Sequence, residues 1–134
     1  MSHFAKILSA RNTYVIAEAG VNHNGSEERA FELLAAALDA GADAFKVQIF
    51  NPENLVTGWA DKAEYQEKNT GGGESQLEML RQLDLDRSAY SRLLEECNRT
   101  GIDFLVTPFD VPGIRFLREE LGLAVLKVPS GEIT

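Results

Sequence analysis

Three times along this chain, a glycine closes a helical pattern and an apolar, strand-like run begins a few residues later. The glycines are Gly41, Gly101 and Gly122, and one further strand-like run precedes the first helix. The four predicted strands are Tyr14–Glu18, Ala44–Phe50, Ile102–Thr107 and Ala124–Val128. Strands that alternate with helices form parallel sheets with right-handed crossovers. The pattern therefore predicts an α/β fold, either an open doubly wound sheet or a closed barrel. No GxGxxG or P-loop follows the first strand, which disfavours the nucleotide-binding open form.

Helix signals separate these strands. Ser26 is a good N-cap with glutamates in the turn after it, and that helix is predicted to end at Gly41. Asp86 is the predicted cap of a helix that runs through Arg99. Further helical pieces are predicted at 60–68, 76–82 and 111–121. The stretch from Asn51 to about Asp84 is otherwise irregular, so it predicts a long excursion between the second and third strands.

Composition narrows the class of protein. The chain has 134 residues, enough for one domain, and its 44% hydrophobic content predicts a folded globular protein. A net charge of -8 argues against nucleic acid or an anionic membrane surface as a partner. The single cysteine, Cys97, cannot form an internal disulfide, and no apolar run is long enough to span a bilayer. We therefore expect a cytoplasmic protein with no membrane or nucleic-acid partner.

Polar side chains recur where the predicted strands end. They are Glu18 on the first strand, Lys46 and Gln48 on the second, Thr107 on the third, and Lys127 and Ser130 at the fourth. Parallel α/β proteins place their sites at the carboxyl ends of the strands. We therefore expect these six side chains to converge on one concave face.

Lys46 is the most informative of them. By the period of two along a strand, Lys46 and Gln48 share the face opposite to apolar Phe45 and Val47. A buried ammonium group needs an anionic partner. That partner is either Glu18, in a structural ion pair, or a substrate phosphate or carboxylate. Lys127 poses the same question, and the two lysines with nearby hydroxyls predict a cradle for a small dianion.

Two other residue types carry weaker signals. His23 either contacts a ligand or organises its own loop by hydrogen bonds, and the sequence favours neither. It is not a convincing metal ligand, because the only other histidine is His3. Cys97 is predicted to be a core residue on the apolar side of its helix rather than a nucleophile.

Five motifs in chain order resemble the sialic acid synthase family, which includes the N-acetylneuraminate, legionaminate and pseudaminate synthases. They are IAEAGVNHNG at 16–25, GADAFKVQ at 41–48, YQEKN at 65–69, TPFD at 107–110 and KVPSGEIT at 127–134. They are spread in order over nearly the whole chain from Ile16 onward, which makes accidental similarity implausible.

The resemblance implies a (β/α)8 TIM barrel, of which this chain supplies about the first four β/α units, and a homodimer. It implies condensation of phosphoenolpyruvate with an open-chain N-acyl hexosamine, typically N-acetylmannosamine, aided by a divalent metal (Mn2+ or Mg2+). By motif, Lys46, Thr107, Lys127 and Ser130 would hold phosphoenolpyruvate. Glu18 would lie beside the reacting carbons, and Gln48 and Asn69 would contact the sugar. Glu18, Lys46 and Lys127 are thus the catalytic candidates, and Gln48, Asn69, Thr107 and Ser130 the substrate-binding ones.

A complete barrel of this class needs about 250 residues. Residues 1–134 are therefore expected to be the N-terminal portion of the barrel domain. The metal ligands of the family and its C-terminal antifreeze-like domain are expected outside this chain, and the chain alone is expected to be inactive. Three alternatives stay open: another phosphoenolpyruvate-dependent synthase of a deoxy-sugar acid, a Schiff-base aldolase that uses Lys46 or Lys127, and an inactive half-barrel.

Overall fold

Three parallel strands in the order β1–β2–β3 form the centre of the structure. They are β1 (Ile16–Gly20), β2 (Ala44–Ile49) and β3 (Asp103–Pro108). The structure is a computed structural model that describes residues 13–55 and 75–133. The prediction of an α/β fold with a parallel sheet is confirmed.

The helices that join the strands begin and end where their capping residues predict. Helix α1 (Glu27–Asp39) begins after Ser26, whose hydroxyl accepts a hydrogen bond from the Arg29 N–H at 3.2 Å. A single turn, α2 (Pro52–Leu55), follows β2, and α3 (Gln76–Leu83) begins with a capping box. Helix α4 (Arg87–Thr100) is capped by Asp86 and ended by the left-handed Gly101. The helical piece predicted at 60–68 lies outside the described residues.

The last predicted helix, 111–121, is formed in two parts. Helix α5 (Val111–Arg115) continues into a wider, π-helical turn at Phe116–Glu120, where the Leu121 N–H donates to the Phe116 carbonyl at 3.1 Å. Phe116 and Leu117 are both buried although they are adjacent in sequence. The wider turn thus places two consecutive apolar side chains against the core.

The predicted fourth strand, Ala124–Val128, is wrong for the described residues, because this segment forms no ladder beside β3. It makes one contact of the expected kind, from the Lys127 N–H to the Val106 carbonyl at 3.2 Å. In a parallel pair, the matching bond to the Lys127 carbonyl would come from the N–H of residue 108. Pro108 has no N–H, so the pairing stops at this point.

The two faces of the sheet differ in character. On the face covered by α1 and α4, Phe45 and Phe104 stack with their ring centroids 6.4 Å apart, beside buried Val47, Ile49 and Val106. The other face carries Lys46 and Gln48, as the period of two predicts. This division puts the apolar core and the polar candidates on opposite sides of the same strands.

The turn after β1 packs directly against the end of α3. Gly25 has φ +72°, and a Cβ atom there would lie 2.5 Å from the Gln82 carbonyl oxygen. Gly41 has nearly the same φ of +71° but open space around it. The two positions therefore share a backbone conformation and differ in steric room.

We predict that Gly25→Ala destabilises the fold much more than Gly41→Ala. The left-handed conformation costs an alanine about 1–2 kcal/mol at both positions, and the clash with Gln82 adds about 1–3 kcal/mol at Gly25. Urea denaturation of both variants measures the difference in unfolding free energy. Equal losses would contradict the packing described for this turn.

Candidate active site

An ion pair joins the middle of β1 to the middle of β2, because β1 continues to Gly20 and does not end at Glu18 as predicted. Glu18 and Lys46 are register partners in the parallel ladder, and the Lys46 ammonium contacts the Glu18 carboxylate. The Lys46 side chain is 12% exposed and that of Glu18 is 44% exposed. Of the two partners that the sequence left open for Lys46, the structure therefore contains Glu18.

The charge of Lys127 also acts on the Lys46 ammonium group. Burial lowers the pKa of Lys46, and the positive charge of Lys127 lowers it further. Lys127 itself is exposed and is tied to β3 by its backbone. The two lysines are thus close enough for their charges to repel, as the shared-cradle hypothesis requires.

The glycine that ends β1 leaves room beside this pair. The register between β1 and β2 shifts between Glu18 and Gly20, and Gly20 has φ +58°. A Cβ atom at Gly20 would lie 3.2 Å from Glu18 Oε1 and 3.6 Å from Gln48 Nε2. The side chains of Glu18 and Gln48 therefore both approach Gly20, a role that a glycine after a predicted strand does not reveal by itself.

Thr107 follows on the next strand, as the register partner of Gln48. Its side chain is buried, at 2% exposure, and its hydroxyl oxygen has no hydrogen-bond partner among residues 13–55 and 75–133. A buried polar group without a partner costs about 1–3 kcal/mol. The hydroxyl can therefore donate a hydrogen bond to a bound molecule that carries an acceptor atom.

Tyr90 contacts the backbone of Gln48, and the sequence did not single it out. It lies in the core on α4, and its hydroxyl donates to the Gln48 carbonyl at 2.7 Å. Burial and the nearby Asp84 carboxylate raise the pKa of Tyr90, so it stays protonated and can donate. Its signal in the sequence was only its place on the apolar side of α4.

The remaining candidates are not joined to this group. Ser130 is exposed at the start of a 3-10 turn (Ser130–Glu132), and it makes no hydrogen bond to the other candidates in the described part of the chain. Asn69 lies outside the described residues. The structure thus brings together Glu18, Lys46, Gln48, Thr107 and the charge of Lys127.

His23 organises its own loop. Its Nδ1 accepts a hydrogen bond from the Gly25 N–H at 3.1 Å, so the neutral ring carries its hydrogen on Nε2. That Nε2 is buried and has no hydrogen-bond partner in the described part of the chain, and burial lowers the pKa of the ring. Of the two sequence-based interpretations of His23, the loop hydrogen bond is the one that the structure contains.

Cys97 is a core residue, as predicted. The side chain is fully buried, and burial, followed by the charge of Glu96, raises the pKa of the thiol to about 12. Because a thiolate is the nucleophilic form, a thiol with this pKa is inert near neutral pH.

Residues 13–55 and 75–133 contain neither a metal-binding cluster nor a membrane-spanning helix. No group of three or more His, Cys, Asp or Glu side chains there is arranged to hold a metal ion. No helix in the same residues is long and apolar enough to cross a membrane.

The profile of the NeuB family matches residues 33–134. The chain belongs to the NeuB family. It is 47% identical over 124 residues to the N,N'-diacetyllegionaminic acid synthase of Campylobacter jejuni subsp. jejuni serotype O:2, covering 92% of this chain and 37% of that protein. It is also 47% identical over 126 residues to the Legionella pneumophila synthase of the same name, covering 94% of this chain and 35% of that protein.

This NeuB-family chain also resembles a solved structure. The N-acetylneuraminic acid synthetase of Leptospira borgpetersenii serovar Hardjo-bovis, crystallised with citrate, superimposes with a TM-score of 0.67 at 29% identity. The alignment covers 88% of this chain and 36% of that one. The chain thus spans about a third of the length of the relatives it matches. The resemblance to the nonulosonate synthases is confirmed.

We predict that His23 makes the fold sensitive to mild acid. Because the folded-state pKa of His23 lies below its ordinary 6.5, the unfolded chain binds the proton more readily. Stability is therefore complete above about pH 7 and falls toward about pH 5, as protonation removes the Nδ1 acceptor. Urea denaturation at both pH values should show a smaller acid loss for His23→Gln than for the wild type. Equal acid losses in the two proteins would contradict this account.

Proposed function

We propose that this chain supplies the phosphoenolpyruvate-binding side of a synthase active site. The synthase would condense phosphoenolpyruvate with an N-acyl hexosamine, such as N-acetylmannosamine, to a sialic-acid-type nonulosonate and phosphate. The observation that carries the proposal is that Lys127, bound to β3 through its backbone N–H, lies near enough to Lys46 on β2 to lower its pKa, beside the buried Thr107 hydroxyl. Family membership supports the same reaction class.

The charges explain why a small dianion suits this place. Glu18 neutralises Lys46, but Lys127 repels it. An anion between the two ammonium groups would change that repulsion into two attractions, which are strong where water is excluded. The Thr107 hydroxyl would donate to the same anion and gain the partner that it lacks. A phosphate with a nearby carboxylate, as in phosphoenolpyruvate, meets these requirements, and Ser130 is the remaining proposed ligand.

The sugar would lie on the side of Glu18 and Gln48. Both side chains approach Gly20, where a Cβ atom would lie only 3.2 Å from Glu18 Oε1. An amide such as that of Gln48 both donates to and accepts from hydroxyl and N-acyl groups. Asn69 is the second proposed sugar contact.

In the proposed reaction, the methylene carbon of phosphoenolpyruvate attacks the aldehyde carbon of the sugar, forming the new carbon–carbon bond. Water then adds to the resulting cation-like carbon and phosphate leaves. Lys46 and Lys127 would hold the phosphate and carboxylate throughout, and Thr107 would fix their orientation. Glu18 would stabilise the positive carbon and keep Lys46 in place.

The wider assembly is part of the proposal. We propose a TIM barrel, with residues 1–134 as the N-terminal portion of its domain, and a homodimer in the cytoplasm. A divalent metal, Mn2+ or Mg2+, would act as a Lewis acid when bound. The described residues contain no group of side chains that could bind such a metal. No step of the proposed reaction is therefore assigned to the metal.

One observation also favours a second candidate. The lowered pKa of Lys46 is what a Schiff-base aldolase requires, because only the neutral amine attacks a carbonyl. Borohydride in the presence of substrate traps a Schiff base covalently and leaves the proposed synthase reaction intermediate untouched. Mass spectrometry of the treated protein therefore distinguishes the two reactions.

We predict that Lys127→Ala, in an active synthase that contains this chain, reduces kcat/KM for phosphoenolpyruvate by about 10- to 100-fold, the value of a charged hydrogen bond. The KM for the amino sugar should change little, because Lys127 is on the anion side. Steady-state kinetics with each substrate varied in turn measure both effects. Arg29→Ala, which removes an exposed cation near the start of α1, is the matched control. Unchanged phosphoenolpyruvate kinetics would refute the assignment of Lys127.

We predict that the 134-residue chain alone self-associates or folds poorly and has no synthase activity. Val15 and Ile16, where β1 begins, are 51% and 44% exposed, and unpaired strand edges promote association. Sedimentation and an assay with phosphoenolpyruvate, N-acetylmannosamine and Mn2+ test both points. A stable monomer with full turnover would show that this chain needs no further residues for catalysis.

A further inference from the structure

The Asp110 carboxylate connects the two loops that follow β2 and β3. Its Oδ1 accepts a hydrogen bond from the Gly113 N–H at 2.7 Å, which caps α5. Its Oδ2 accepts from the Asn51 N–H at 2.6 Å, across 59 residues of sequence. Both oxygens of one side chain are therefore used, each toward a different loop.

The bond to Asn51 takes the place of a missing backbone bond. The last β2–β3 bond runs from the Phe109 N–H to the Ile49 carbonyl at 3.0 Å. In a continuing parallel ladder the next bond would run from the Asn51 N–H to the Phe109 carbonyl. The Asn51 N–H donates to the Asp110 side chain instead. Asp110 thus extends the strand pairing by one bond beyond the end of both strands.

The surroundings leave little freedom to this connection. A Cβ atom at Gly113 would lie 3.0 Å from Asp110 Oδ1 and 3.4 Å from Ile49 Cγ2, so the helix approaches β2 closely here. The Asn51 side chain in turn accepts a hydrogen bond from the Glu53 N–H at 3.0 Å, at the start of α2. The Asp110 contact therefore fixes the beginning of the segment that follows β2.

Capping alone does not explain both bonds. A helix cap requires one acceptor oxygen, as Ser26 shows at α1. Asp86 caps α4 through the Ser88 N–H, and its bonds stay within its own helix start. Asp110 makes the equivalent local bond and adds the bond to another loop. This second bond is the part that carries a functional inference.

We infer that Asp110 is a positioning residue for the sugar side of the site, an inference that rests on the proposed function. Gln48 and Thr107 are register partners just before the two loops that Asp110 joins. Releasing Asn51 would free the start of the loop that follows Gln48, whereas Gln48 itself stays paired with Thr107 in the ladder. Thr107 and Lys127, on the anion side, keep their backbone contacts through β3. Asp110 therefore determines acceptor-sugar binding without touching the sugar.

Two variants test the contact. Asp110→Ser keeps a capping hydroxyl but cannot reach Asn51, and Asp110→Asn keeps the shape but offers only one acceptor oxygen. Asp86→Ser is the matched control, since it makes the same change at a cap without a second partner. Hydrogen exchange, read by mass spectrometry in a synthase that contains this chain, should be at least about tenfold faster at Asn51 in both Asp110 variants, the factor for one lost hydrogen bond. Unchanged exchange at Asn51, or an equal increase in Asp86→Ser, overturns the contact.

Kinetics of the same proteins test the functional part. In both Asp110 variants the KM for N-acetylmannosamine should rise at least about fivefold, while the KM for phosphoenolpyruvate changes less than about twofold. Equal changes in both constants would mean a merely structural role and would overturn the inference. If the wild-type synthase makes no nonulosonate at all, the proposed function fails and the positioning role fails with it. Exchange at Asn51 still decides separately whether the contact exists.

Discussion

The register of β2 between its two parallel neighbours is the constraint on which the rest of the structure depends. It directs Phe45, Val47 and Ile49 into the core beneath the helices and directs Lys46 and Gln48 to the other face. A slip of one residue would exchange these sets and bury an ammonium group among aromatic rings. Core packing and site geometry are therefore fixed by the same hydrogen bonds, and neither can change alone.

The candidate site is arranged around incomplete charge balance. Lys46 has an anionic partner in Glu18 and an unfavourable neighbour in Lys127, while the Thr107 hydroxyl is buried without a partner. A fold optimised only for stability would satisfy the hydroxyl and separate the lysines. Groups held in this state are preorganised for an anion, because the protein need not rearrange when the anion arrives.

Much of this could be predicted from the sequence, because the decisive signals are local. Ser26, Asp86 and Gly101 mark helix boundaries by their own chemistry, and the period of two gives the faces of β2. The fourth strand was wrong because apolar content does not reveal register: the missing N–H of Pro108 matters only once Lys127 is known to lie beside it. The bond between Asp110 and Asn51 could not be predicted either, because its partners lie 59 residues apart and local patterns do not show that they meet.

Pro108 also has a consequence for how such a site can diversify. Pairing along this edge of β3 depends on alternating N–H donors and carbonyl acceptors. Pro108 has no N–H to donate to the Lys127 carbonyl, so within the described residues the segment after Lys127 is not bound to β3 by ladder hydrogen bonds. Under the proposed function, the loop that begins there can therefore differ between sugars while β2 keeps Lys46 in position.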